Sequence, residues 1–130
     1  MTLVLFTLSL LAAGQNKLTN KYPIAVKFIS YGAGVPHSQP VTDFIRSFQK
    51  KNKTKEIKID TIDRRGKEGE YSLGLRLKEL SQTQKKIFIQ QIKKVRKQKG
   101  DPGIIQYEEN VTFDKTKDPT RVKPQAIKIE

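Results

Sequence analysis

From Tyr22 to Phe113 the apolar positions change period several times, and each change marks the border of an element. In Tyr22–Tyr31, Ile24, Val26 and Phe28 alternate with Ala25, Lys27 and Ile29, the period of two of a β-strand; with both faces largely apolar, the strand is expected at the centre of its sheet. Gly32-Ala33-Gly34-Val35-Pro36 breaks it. Val41, Phe44, Ile45 and Phe48 then fall at i, i+3, i+4 and i+7, which predicts a helix from Pro40, preceded by Ser38 or Gln39 and closed by Lys50, Lys51 and Asn52. In Glu56–Asp63, Ile57 and Ile59 alternate with Lys58 and Asp60; after a polar turn over Arg64–Gly69, Tyr71, Leu73, Leu75 and Leu77 alternate with Ser72, Gly74 and Arg76. These two strands are expected to pair as a hairpin.

Ser81-Gln82-Thr83-Gln84 has the spacing of a capping box, and Phe88, Ile92 and Val95, flanked by Ile89, continue it as an amphipathic helix. Its predicted span is Ser81–Lys99, stopped by Gly100-Asp101-Pro102. Ile104, Ile105, Tyr107, Val111 and Phe113 predict a last strand, interrupted near Asn110. Beyond it Pro119 and Pro124 suggest a loosely held tail, while Ile127 and Ile129 alternate well enough to add an edge strand.

Strand, helix, strand, strand, helix, strand is the order of an α+β, ferredoxin-like βαββαβ sandwich, with two helices packed on one face of a four-stranded antiparallel sheet. The expected organisation is a signal peptide over 1–14, a polar spacer over 15–21, a single α+β domain over 22–113 and a C-terminal tail or edge strand over 114–130. The element order and basic charge are similar to those of RNA-recognition domains, but the required stacking aromatics are missing from the outward positions Ser72, Gly74, Arg76, Ala25, Lys27 and Ile29.

The segment MTLVLFTLSLLAAG carries no charge and has the apolar stretch and small residues of a secretory signal, with cleavage expected before Gln15. It is too short to span a bilayer, which takes about 20 apolar residues. It lacks the usual positive charge ahead of the apolar run, and Gln15 stands where a lipoprotein signal would need cysteine, so lipidation is excluded. The expected location is periplasmic or secreted; if residues 1–14 belong to the fold, it is the cytoplasm.

Composition narrows the chemistry. The chain has 26 Lys and Arg against 13 Asp and Glu, a formal charge of +13, so its partners are expected among an anionic polymer, lipid headgroups or a protein in the envelope. Of those cations 20 are lysine, a hydrated point charge rather than the planar fork that reads phosphates and base edges. With no cysteine there is no disulfide-linked partner and no thiolate metal site, and a single histidine leaves little for metal or Ser–His chemistry, so no metal or cofactor is expected.

Three places could carry a site. Gly32 and Gly34 lie between a strand and a helix, where backbone amides can hold an anion, with His37 as a pH-dependent contact. Arg64, Arg65, Glu68 and Glu70 cluster at the hairpin and, with Asp60 and Asp63, could pair carboxylates for acid–base work in a small envelope hydrolase. The predicted helix 81–99 has seven cations and no carboxylate, with Lys86, Lys93 and Lys97 as its candidate contacts to nucleic acid or an anionic membrane surface. The leading expectation is a non-enzymatic extracytoplasmic binding or accessory domain.

Overall fold

The period-two segments pair as antiparallel strands and the period-3.6 segments cover one face of the resulting sheet. In a computed structural model of the 130-residue chain, which describes residues 21–63, 69–113 and 121–126, the elements are β1 (Lys21–Ile29), α1 (Gln39–Asn52), β2 (Lys58–Asp63), β3 (Tyr71–Leu75), α2 (Gln82–Ile92), β4 (Ile104–Thr112) and β5 (Arg121–Ala126). The class is α+β. All pairings are antiparallel and the sheet order is β4-β1-β3-β2-β5, which places β1 inside the sheet and makes β2 and β3 a hairpin. The C-terminal strand pairs with β2 from Lys58↔Ala126 to Asp63↔Arg121. It includes Pro124, which an edge strand can accommodate because one of its sides needs no ladder donors. The alternation at Ile127 and Ile129 lies outside the described residues.

One apolar layer joins the sheet to both helices. Ile24, Val26 and Phe28 of β1, Ile59 of β2 and Leu73 and Leu75 of β3 meet Val41, Ile45 and Phe48 of α1 and Phe88 and Ile92 of α2. Phe88 lies 5.0 Å from Phe48, edge to face, and 5.2 Å from Phe44, so aromatic packing joins the two helices.

Local chemistry sets the helix borders. Pro40 lies in the first turn of α1, and the N-cap Ser38 makes no side-chain cap. Burial raises the Tyr71 hydroxyl pKa above its usual value, and a side-chain hydrogen bond with Ser38 opposes that shift. Gln49, buried on α1, accepts the Ile57 N–H on Oε1 at 2.6 Å, which ties the helix to the start of β2 and fixes the course of residues 53–57. The capping box of α2 forms as expected: Ser81 Oγ accepts the Gln84 N–H at 3.2 Å and Gln84 Oε1 accepts the Ser81 N–H at 3.1 Å.

The predicted helix 81–99 is corrected: α2 ends at Ile92. The next amides close three-residue turns, Lys94 N–H to Gln91 O and Val95 N–H to Ile92 O, and the chain then leaves the helical path. Continuing would stack like charges at Lys93/Lys97 and Lys94/Lys97, which helix spacing makes unfavourable. Leaving it lets Val95 pack on the core and accept the Tyr107 hydroxyl on its carbonyl at 2.7 Å. Burial raises the Tyr107 hydroxyl pKa to about 12, against a minor lowering by Arg96.

Candidate functional site

The pairing directions decide which loops share an end of the sheet. β1, β2 and α2 begin at one end, and β3, β4, β5 and α1 finish there. This end collects Lys21 at the start of β1, Lys50 and Lys51 in the last turn of α1, Lys53 and Lys55 in the following loop, Lys58 opening β2, Lys78 after β3, and Lys85 and Lys86 on α2. Among the described residues nine lysines thus face two unpaired carboxylates, Glu56 and Glu79, in the same loops. All nine lysines are exposed except Lys85, which is half-buried. Lys53 holds a left-handed conformation at φ 50° and caps α1 through its N–H to Gln49 O, so its place is fixed by the helix end.

A cleft of roughly 540 Å³ opens at this end, lined by Lys21, Tyr22, Pro23, Lys85, Asn110, Val111 and Thr112. Its wall comes from a fault in the ladder. The β1–β4 register pairs Tyr22 with Val111 and Ile24 with Glu109, but the rung between them joins Pro23, which has no N–H, to Asn110 at φ 55°. Across this rung Tyr22 and Val111 leave the helix-covered face and join Ala25, Ile62 and Phe113 in a second apolar cluster. Tyr22 stands edge to face with Phe113 at 5.7 Å and its ring lies over Gly74.

Two polar groups, the Asp60 carboxylate and the Arg76 guanidinium, hold that ring. The Tyr22 hydroxyl donates to Asp60 Oδ2 at 2.6 Å, Arg76 Nε donates to the same oxygen at 3.2 Å, and the Arg76 guanidinium lies 5.0 Å from the ring centroid. Burial and the Asp60 carboxylate push the Tyr22 pKa up to about 12, so the phenol stays a proton donor. A Cβ added at Gly74 would come within 2.7 Å of the ring. Gly74→Ala is therefore expected to cost about 1–3 kcal/mol by overpacking, read from the urea midpoint, and to return the Tyr22 hydroxyl titration toward 10.

The residues proposed from sequence are dispersed. Gly32 and Gly34 have φ 111° and 101°, and both amides donate to Ser30 Oγ at 3.1 Å, so the turn closes on its own serine. His37 faces Asp101: its backbone N–H donates to Oδ2 at 2.9 Å and its ring Nδ1 lies 3.0 Å from Oδ1. Both loops are at the end opposite the lysines. Lys93 pairs with Glu109 at 2.8 Å, and Lys97 donates to the Gly103 carbonyl at 2.7 Å. With α2 shortened, these two stand at the far end of the helix from Lys86. Arg64, Arg65 and Glu68 lie outside the described residues; Glu70 is half-buried, and Asp60 is engaged by Tyr22 and Arg76. Among the described residues no three of His, Asp and Glu come together as a metal set, and no helix is long and apolar enough to cross a membrane. Of this lysine-rich end, sequence reading singles out Lys86 alone; it misses the other eight lysines as a group, and in the cleft Tyr22, Pro23, Asn110, Val111 and Thr112.

Hydrogen bonds from the His37 amide and ring lower the Asp101 pKa. A carboxyl depressed in the folded state adds stability above its unfolded pKa and loses it as pH falls through the folded one. Asp101→Asn should therefore unfold more readily than the parent at neutral pH, and the difference in urea midpoint should vanish in strong acid. A difference that persists at low pH would mean that the bonds act independently of charge.

Comparison with family models, with curated proteins and with solved structures finds no match.

Proposed function

We propose that the protein is a non-enzymatic binding domain, exported after removal of residues 1–14, that holds a phosphate-bearing anionic polymer at its lysine-rich end. One observation carries this reading: four separate stretches of chain deliver nine lysines to one end of the sheet, beside a cleft whose lining has no carboxylate among the described residues. Lysine suits the task, because a polymer recognised by charge density needs mobile point charges rather than shaped forks. We also read the fold as ferredoxin-like with an added edge strand, a reading supported by the order β4-β1-β3-β2 and by helices following β1 and β3.

The test is a titration of the full chain, ¹⁵N-labelled, with inorganic polyphosphate. The amides of Lys50–Lys55, Lys78 and Lys85–Lys86 are expected to shift, with those of Lys94–Lys99 little changed. Shifts centred on Lys94–Lys99, or none, would overturn the reading. Export is tested separately by the intact mass of the protein made from its own start codon: a mature species beginning at Gln15 is expected, and a full-length cytoplasmic product would reject it.

A further inference from the structure

We propose that the cleft between β1, β4 and α2 takes one nucleotide unit of such a polymer, with a phosphate between Lys21 and Lys85 and the nucleoside against Pro23 and Val111. This inference rests on the polyanion reading and narrows it to nucleic acid. At roughly 540 Å³ the cleft is far larger than a lone phosphate requires and falls within the range of small-ligand sites. Its lining divides by chemistry. Lys21 and Lys85 come from different elements and are the only charged residues in the lining among the described residues.

Lys85 is in the first turns of α2, where the positive end of the helix dipole reinforces its charge. The capping box already occupies the Ser81 and Gln84 amides, so the anion is left to the side chains. Asn110 and Thr112, both exposed, supply donors and acceptors suited to sugar hydroxyls. Pro23, with Val111 beside it, gives the apolar part of the lining, and Tyr22, buried behind them, is held by Asp60 and Arg76 before any ligand arrives. A lipid phosphate would need a long apolar channel for its chains, whereas among the described residues the apolar lining is Pro23 and Val111, with polar groups beside them.

The experiment titrates the ¹⁵N-labelled full chain with adenosine monophosphate, ribose 5-phosphate, inorganic phosphate and a soluble dihexanoyl phosphatidate. Saturable shifts at Lys85, Asn110 and Thr112 are expected with adenosine monophosphate, at an affinity at least about tenfold above that for inorganic phosphate. Lys85→Glu, and independently Lys21→Glu, should remove them; Lys51→Glu should leave them intact while weakening polyphosphate. Equal affinity for inorganic phosphate, preference for the phosphatidate, or no saturable shift at these residues would overturn the proposal. Polyphosphate binding that persists in any of those cases leaves the wider reading standing; loss of both ends both.

Discussion

Phe88→Ala is expected to cost about 3–5 kcal/mol, the largest stability loss of any single truncation in this chain. Phe88 is fully buried, and its ring meets Phe44 and Phe48 of α1 while its helix lies on β1 and β3. Removing the ring deletes its transfer free energy and opens a cavity between two helices whose borders are pinned. The capping box fixes the start of α2, and Gln49 together with the Lys53 cap fixes the end of α1, so neither helix can slide to fill the space. A domain of this size has about 5–15 kcal/mol of stability, and the variant should therefore sit close to unfolding at room temperature. Ile87, its neighbour on the exposed side of α2, is the control: Ile87→Ala should change stability by no more than about 0.5 kcal/mol. Chemical denaturation of both variants measures the contrast. A loss below about 1 kcal/mol at Phe88 would mean that α2 is not docked in solution.

How far the sequence is legible follows the range of the interactions. Elements set by local pattern are readable. Ser81 and Gln84 announce a capping box, Val41, Ile45 and Phe48 announce the buried stripe of α1, and β1 is apolar on both faces because it lies inside the sheet. The borders settled by distant partners are not readable. Continuing α2 through Lys93–Lys99 looks sound locally, since Val95 extends the stripe, but the Tyr107 hydroxyl, twelve residues away, donates to the Val95 carbonyl only off the helical path. Charge composition indicates a basic protein without showing where the charge gathers.

The cleft was hidden for the same reason. Strict alternation assigns Tyr22 to the face of Ile24, and only the meeting of Pro23 with Asn110 across two strands sends it to the other face, against Gly74, Asp60 and Arg76. Proline at the second position of the strand and an asparagine interrupting the last were both visible, but their pairing was not. The lysines were equally visible one by one. Their convergence depends on the antiparallel order, which turns positions as remote as Lys21, Lys51 and Lys86 into neighbours at one end.

That convergence leads to the second large effect. Affinity for a duplex or polyphosphate should fall steeply with salt, because each lysine that neutralises a phosphate releases a counterion; about six contacts would give a log–log slope near −5. Reversing Lys51, Lys55 and Lys86 together to glutamate should weaken binding about 100-fold or more at low salt and make the slope shallower by about 3. The three positions come from α1, the loop after it and α2, and none has an ion pair among the described residues. A glutamate at 51 opposes the dipole at the end of α1, while one at 86 lies near the start of α2, where it is favourable, so the net cost to folding is small. Reversing Lys94, Arg96 and Lys99 changes the net charge by the same amount at the opposite end. If affinity depends on net charge alone, the two triple variants will bind equally weakly and the lysine-rich end has no special role. If it depends on placement, the first variant loses the polymer and the second keeps most of its affinity and slope, which is the result expected from nine lysines gathered at one end of the sheet.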